Sequence, residues 1–107
     1  QEGFDCTKDV YVCYINTMVR VRIIVSGIVQ GVFFRFNTMK KAHEFGVTGW
    51  VKNRRDGTVE VLCEGTDQDV QLMVDWCAKG PEGSFVSKTA VTQEKYTGEF
   101  ETFQIVY

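Results

Sequence analysis

A glycine-spaced loop that ends in an arginine is the part of this sequence best suited to chemistry. It reads GIVQGVFFR over residues 27–35 and lies between a strand-like run and a helix-like run. In such a loop, backbone N–H groups converge at the positive end of a helix dipole. Because Arg35 adds a planar fork of donors, the segment predicts a site for a small tetrahedral anion. A turn whose glycines serve only the backbone is the alternative.

Basic side chains surround this loop, although the whole chain carries a formal net charge of −2. That overall charge argues against a general nucleic-acid binder. Between residues 35 and 55 the only acidic residue is Glu44, and the basic residues are Arg35, Lys40, Lys41, Lys52, Arg54 and Arg55. The cluster is suited to attracting a small anion, whereas each lysine alone is best explained as part of a solvated face.

The 107 residues, 44% of them hydrophobic, are enough for one globular domain with its own core. We expect this domain to span residues 18–107. Residues 1–17 are expected to be an extension, for which residues left from cloning, a processed native segment and a mobile tail are the alternatives. The run over residues 10–15 is β-prone and permits a strand there.

The four cysteines form no CxxC pair and no cluster with histidine, so we expect no metal site. Cys63 and Cys77 lie in apolar patterns and are expected to be small buried hydrophobes. The redox state of Cys6 and Cys13 stays open. No apolar run is long enough to span a membrane and no secretory signal is visible, so we expect a cytoplasmic protein that does not bind membranes.

The hydrophobic pattern predicts the elements that position the loop. Apolar residues alternate from Val19 to Val25, which indicates a strand, and helical spacing predicts a helix over 34–45 that ends at Gly46. Asp56-Gly57 indicates a hairpin between strands over 47–53 and 58–64. A second helix is predicted from residue 66 to 79, followed by closing strands over 84–92 and 101–107.

This order of elements is typical of an α+β, ferredoxin-like two-layer sandwich. The predicted arrangement is βαββαβ plus a short terminal strand, with an antiparallel sheet and two helices on one face. The architecture alone does not indicate a function, because RNA binders, metal carriers and enzymes share it.

The loop and the hairpin together resemble the two signatures of the acylphosphatase family. The loop is GIVQGVFFR; the second motif is GWVKN over 49–53 with DGTV over 56–59, and the chain closes with FQIV over 103–106. Asn53 stands 18 residues after Arg35. The resemblance covers residues 19–107.

The resemblance implies hydrolysis of a small-molecule acyl phosphate to a carboxylate and inorganic phosphate. Arg35 would bind the phosphate oxygens and Asn53 would hold the attacking water, without metal, cofactor or covalent enzyme intermediate. The backbone cradle for the phosphate would consist of Gln30, Gly31, Val32, Phe33, Phe34 and Arg35. Phosphate or a similar anion would be product or inhibitor, and we expect a monomer without nucleic-acid partners.

The residue types are consistent with this chemistry. An acyl phosphate has a carboxylate leaving group, so it needs no strong general acid, and phosphoryl transfer depends mainly on positioning and electrostatics. Asn53 is neutral and would not repel a dianion. His43 lies too far along the first helix to reach an anion at its start.

Several residues and the function itself have alternative interpretations. Asn53 is also a common turn residue, and Gln30 is also suited to bracing the loop without touching substrate. Phe33 and Phe34 are expected to pack under the loop, with Phe33 at the border of the opening as the alternative. Trp50 and Trp76 are expected in the core.

The alternative function is a non-catalytic module of a larger protein that binds phosphate or carbamoyl phosphate; an RNA-binding sandwich ranks last. The physiological acyl phosphate cannot be named from the motifs.

Overall fold

The alternating and helical patterns fold into five strands and two helices. The computed structural model describes residues 17–107; the predictions made for residues 1–16, including the strand over 10–15 and the state of Cys6 and Cys13, lie outside this range. The elements are β1 (Met18–Ile28), α1 (Phe34–Phe45), β2 (Thr48–Asn53), β3 (Val59–Thr66), α2 (Asp67–Lys79), β4 (Phe85–Glu94) and β5 (Phe103–Val106). Their order is the predicted one.

The strands form one sheet in the order β4-β1-β3-β2-β5, which confirms the ferredoxin-like arrangement. The three pairings among β1 to β4 are antiparallel, and β5 pairs in parallel with β2. The sheet is therefore mixed, and the expectation of antiparallel pairing is wrong for this last strand. The reason is the long connection over 95–102: β4 and β5 lie at opposite edges, so the chain crosses the sheet before β5 begins.

The core lies between the two helices and one face of the sheet. Its buried side chains include Ile23, Val25, Phe34, Ala42, Val51, Val59, Val61, Cys63, Val70, Met73, Cys77 and Phe103. Cys63 and Cys77 are fully buried, as predicted. Burial raises the pKa of the Cys77 thiol to about 12, because the low-dielectric interior disfavours a thiolate.

The opposite face of the sheet carries a network of ion pairs, because alternate residues of a strand point to opposite sides. Arg22 pairs with Glu60 and with Glu94, and Arg20 also pairs with Glu94 at 3.1 Å. The hydrogen bond from Arg22 holds the pKa of Glu94 below its usual value. Trp50 lies here under the Arg22 guanidinium, 5.7 Å from ring centroid to Cζ, and is half-buried. The expectation that Trp50 belongs to the core is wrong.

Glu64, in the central strand β3, is the buried carboxylate of this face, with 1% exposure. It accepts hydrogen bonds from the backbone N–H of Thr97 (3.0 Å), the Thr97 hydroxyl (3.0 Å), the Gly98 N–H (3.1 Å) and Arg20 (3.4 Å). The connection over 95–102 has no helix or strand of its own. These bonds fix it against the sheet and thereby set where β5 begins.

Candidate active site

The backbone between β1 and α1 alternates in the sign of φ around Val32. Gly31 (φ 76°) and Phe33 (φ 60°) are left-handed, whereas Val32 between them is not. Such alternation makes a concave nest of N–H groups that binds anions. Phe33 is the only non-glycine with positive φ among residues 17–107. This conformation costs on the order of 1 kcal/mol or more, and such strain concentrates at ligand-binding sites.

The start of helix α1 leaves its N–H donors available. Phe33 occupies the N-cap position, and no side chain of the described residues caps the helix. The Phe33 carbonyl accepts from the Asn37 N–H (3.0 Å) and from Asn37 Nδ2 (2.9 Å), which holds the first turn. Because the first N–H groups of a helix have no intrahelical acceptor, donors and a positive dipole end both lie beside the loop.

Gln30 connects this loop to the β2–β3 hairpin. Its Nε2 donates to the carbonyl oxygens of Arg54 and Thr58, both at 2.8 Å. Both hydrogens of the amide are thereby used. The side chain is thus a brace, the alternative raised from the sequence, and the predicted contact of the Gln30 backbone with substrate stays a prediction.

The hairpin itself is held by bonds within its turn. The N–H of Arg54 donates to the Thr58 carbonyl (2.9 Å), and Gly57 N–H donates to the Arg54 carbonyl (3.2 Å). The Asp56 carboxylate accepts from the hydroxyl (2.6 Å) and the N–H (3.0 Å) of Thr58. These bonds lower the pKa of Asp56, the hydroxyl contributing most. The residue before this turn, Asn53, therefore has a well-defined position at the end of β2.

The side-chain oxygen of Asn53 is a buried acceptor with no hydrogen-bond partner within residues 17–107. Buried polar atoms without a partner are uncommon in folded proteins, since each costs free energy. Asn53 is paired in the sheet with Val59, so its position does not depend on this atom. An unused acceptor on a fixed backbone is suited to holding a small donor such as water.

One cavity of about 480 Å³ brings the predicted residues together. Its walls are Val29, Gly31, Phe33, Phe34, Arg35, Phe36, Asn53, Ile105 and Tyr107. Arg35 and Asn53 therefore face the same space. Among residues 17–107, these walls include no carboxyl or imidazole side chain. His43 lies elsewhere, with Nε2 3.2 Å from the Phe103 carbonyl oxygen.

The aromatic residues differ from the sequence expectation in part. Phe34 packs under the loop as expected, with 1% exposure and its ring 5.6 Å from that of Trp76. Phe33 does not: its side chain is 78% exposed and borders the opening, because its left-handed backbone turns it outward. Val32 packs against the core and does not line the cavity, so only its backbone remains a candidate for binding.

Four walls of the cavity were not among the site residues predicted from the sequence: Val29, Phe36, Ile105 and Tyr107. The Tyr107 ring lies under the Arg35 guanidinium, with 4.9 Å between Cζ and the ring centroid. This distance is within the range of a cation–π contact, which orients the arginine. The alternation of Phe103, Ile105 and Tyr107 was the available signal, but the partner of β5 was not predictable from it.

A family model described as acylphosphatase matches residues 21–105 of this chain. The chain belongs to the acylphosphatase family. It is 48% identical over 90 residues to the acylphosphatase of Syntrophus aciditrophicus, covering 84% of this chain and 94% of that protein. The crystal structure of the Bacillus subtilis acylphosphatase is similar, with a TM-score of 0.80 and 40% identity over 83% of this chain and 99% of that one.

The acylphosphatase domain fold also occurs inside larger proteins. HypF from T. kodakarensis matches 83% of this chain at 28% identity with a TM-score of 0.73, and the match covers 12% of HypF. The match to the Syntrophus enzyme, by contrast, extends over nearly all of that relative. This acylphosphatase is therefore a hydrolase of small-molecule acyl phosphates that releases phosphate. Within residues 17–107 no helix is long and apolar enough to cross a membrane.

Proposed function

We propose that this acylphosphatase holds the phosphate of its substrate between Arg35 and the backbone N–H groups of residues 30–35, and that Asn53 holds the attacking water. Residues 18–107 are proposed as the catalytic domain. The observation that carries the proposal is the buried, unpartnered side-chain oxygen of Asn53, a residue that lines the same cavity as Arg35. An acceptor without a partner, on a residue that shares a cavity with a cation, is suited to a water beside an anion.

Phosphate binding follows from the charges. The transferred phosphoryl group carries negative charge on its peripheral oxygens, and preorganised donors stabilise that charge without rearranging. Gly31 and Phe33 set the direction of the loop N–H groups, and Arg35 supplies a planar fork that grips two oxygens. The Tyr107 ring lies beneath the guanidinium at 4.9 Å, and this exposed cation–π contact favours the orientation of Arg35 by about 0.5–1 kcal/mol.

The hydrolytic step needs little further chemistry. The water oxygen, held through its hydrogen by Asn53 Oδ1, forms a bond to phosphorus as the bond to the acyl oxygen breaks. The carboxylate leaves with the electron pair, and a phosphate oxygen accepts the proton of the water. This route is consistent with the cavity walls described within residues 17–107, which include no carboxyl or imidazole side chain. Positioning by residues from two different elements is then the main contribution of the protein.

Turnover of benzoyl phosphate by single variants tests these roles. Arg35→Ala should lower kcat/KM by about 10²–10³-fold, the usual effect of losing one preorganised donor. Asn53→Ala should lower kcat while the inhibition constant for inorganic phosphate stays within about twofold, since the water site and not the phosphate site is removed. Asn53→Asp, of equal size, should lower kcat further because its charge repels the substrate.

Lys40→Ala is the matched control, because Lys40 is an exposed cation on the same helix and does not line the cavity. It should keep parental activity. Far-UV circular dichroism of each variant checks the fold. If folded Arg35→Ala protein hydrolysed benzoyl phosphate at the parental rate, the assignment of the phosphate site would be wrong. Binding without turnover in the parent would instead favour the non-catalytic module. A monomer located in the cytoplasm stays a prediction from the sequence.

A further inference from the structure

A second cavity of about 540 Å³ adjoins the proposed site, and its charged lining has no role in the reaction described above. Its walls are Lys52, Asn53, Arg54, Arg55, Glu60 and Tyr107. We refer to it as the cationic groove. Asn53 and Tyr107 line both this groove and the active-site cavity, so the two spaces meet at the residue proposed to hold the water.

The groove has three basic side chains against one acidic side chain, and that carboxylate already has a partner. The Glu60 carboxylate forms an ion pair with Arg22 on the face of the sheet opposite the helices. Arg54 is only loosely paired, with Nη2 3.9 Å from the Asp56 carboxylate. Arg54 and Arg55 are exposed, and the Lys52 ammonium rests over the Trp50 ring at 5.5 Å. Three cations thus line a space that opens onto the proposed water site.

The backbone that carries the two arginines is rigid. The Arg54 carbonyl accepts from both Gln30 Nε2 (2.8 Å) and the Gly57 N–H (3.2 Å), and its N–H donates to Thr58. A charged group on a fixed backbone loses less entropy when it binds an anion than one on a mobile loop. Residues 54 and 55 directly follow Asn53, and both line the groove that meets the active-site cavity at Asn53.

The active-site cavity itself differs in character. Beyond Arg35 and Asn53, its mouth consists of Phe33, Phe36, Ile105 and Tyr107, which offer apolar contacts. An acyl chain that leaves the phosphate site can therefore continue along an aromatic wall or toward the arginines. Only an acyl group that carries a negative charge of its own binds more tightly by extending toward the arginines.

We propose that the cationic groove binds a second anionic group on the acyl part of the substrate, several bonds from the phosphoanhydride. The favoured substrate class is then acyl phosphates of acids that carry another acidic group, such as dicarboxylic acids. This inference rests on the proposed function, because the groove is located relative to the Asn53 site.

A pair of substrates of equal size tests the charge directly. The parent enzyme should have a kcat/KM for 4-carboxybenzoyl phosphate about fivefold above that for 4-carbamoylbenzoyl phosphate, the scale of one exposed charge pair. The preference should shrink in high salt, which screens exposed charges. Adipoyl monophosphate and its terminal amide repeat the comparison with a flexible chain, and 4-phosphonobenzoyl phosphate distinguishes a preference for phosphate from one for carboxylate.

The double variant Arg54→Gln/Arg55→Gln should reduce both preferences to about one, leaving the amide substrates within about twofold of the parent. The matched control is Lys79→Gln/Lys88→Gln, which removes the same two charges from exposed positions outside both cavities. It should retain the preference. If overall charge caused the preference for the charged substrate, both double variants would lose that preference equally.

Three results separate failure of the groove proposal from failure of the proposed function. If the parent hydrolyses benzoyl phosphate in an Arg35-dependent way but shows no preference in either substrate pair, the groove proposal is wrong and the proposed function stands. An equal loss of preference in the two double variants also overturns the groove proposal, because steering by overall charge then explains it. If no acyl phosphate is turned over, the proposed function itself fails.

Discussion

The bond between Gln30 and the hairpin makes the sharpest prediction about how the site is assembled. Replacing Gln30 with Met keeps the length of the side chain and removes both donors. The two 2.8 Å bonds to the carbonyls of Arg54 and Thr58 are lost. At about 1 kcal/mol each, their removal should lower the free energy of unfolding by about 2 kcal/mol. Gln30→Glu should cost more, because a carboxylate would face two carbonyl oxygens.

The effect on catalysis should appear in kcat. The loop carries the proposed phosphate donors and the hairpin carries Asn53, so untying them misplaces the water relative to the phosphate. A displacement of about 1 Å is enough to cost up to ~10²-fold in rate. We expect kcat of Gln30→Met to fall by about 10-fold to 100-fold, while the inhibition constant for phosphate changes by no more than about twofold.

Urea unfolding and steady-state turnover of benzoyl phosphate measure the two effects. Gln71→Met is the control: Gln71 Nε2 also donates one bond, to Asp75 at 2.9 Å, but on the exposed face of α2. It should change stability by less than about 0.5 kcal/mol and leave kcat unaltered. If Gln30→Met weakened phosphate inhibition tenfold with stability and kcat intact, Gln30 would be a phosphate ligand and not a brace.

Two further predictions concern the fold. Gly49→Ala should lower the free energy of unfolding by about 3 kcal/mol or more, because φ is 134° and a Cβ would lie 1.8 Å from the Leu62 carbonyl oxygen. Urea titration of Gly57→Ala, where the added methyl group has open space, should show a distinctly smaller loss of stability. Equal losses of stability in the two variants would contradict the steric argument. Burial raises the pKa of the Cys77 thiol from 9.0 to about 12. Its contribution to the free energy of unfolding is therefore complete below pH 9 and is lost as the pH rises toward 12. Between pH 8 and 10.5 the parent should lose about 2 kcal/mol more than Cys77→Ala, since the unfolded thiol ionises first; parallel pH curves for the two proteins would refute this.

The sequence predicted the elements because they depend on local pattern, and the same motifs singled out Arg35 and Asn53 as candidate site residues. The alternation from Val19 to Val25 and the Asp56-Gly57 turn determine where β1 and the hairpin lie, whatever surrounds them. Arg35 and Asn53 follow from motifs on those elements, and the fold brings them to one cavity.

The remaining features depend on contacts between distant segments. The left-handed backbone of Phe33 could not be predicted, since local preference places glycine in that conformation. Glu64 has the pattern of a surface charge in a strand, and its burial arises only from donors more than thirty positions along the chain. The parallel register of β5, and with it the position of Tyr107 beside Arg35, depends on that same contact.

The Glu64 carboxylate therefore has a consequence for local opening of the molecule. β5 is a four-residue strand, and β2 would be the edge of the sheet without it. The bonds from Thr97 and Gly98 to Glu64 hold the segment that leads into β5 against the sheet, so they oppose detachment of β5 together with its own pairing. A detached β5 would remove Ile105 and Tyr107 from the cavity and expose the unpaired edge of β2 to other chains. One buried carboxylate thus protects both an active site and a strand edge from the same partial unfolding event.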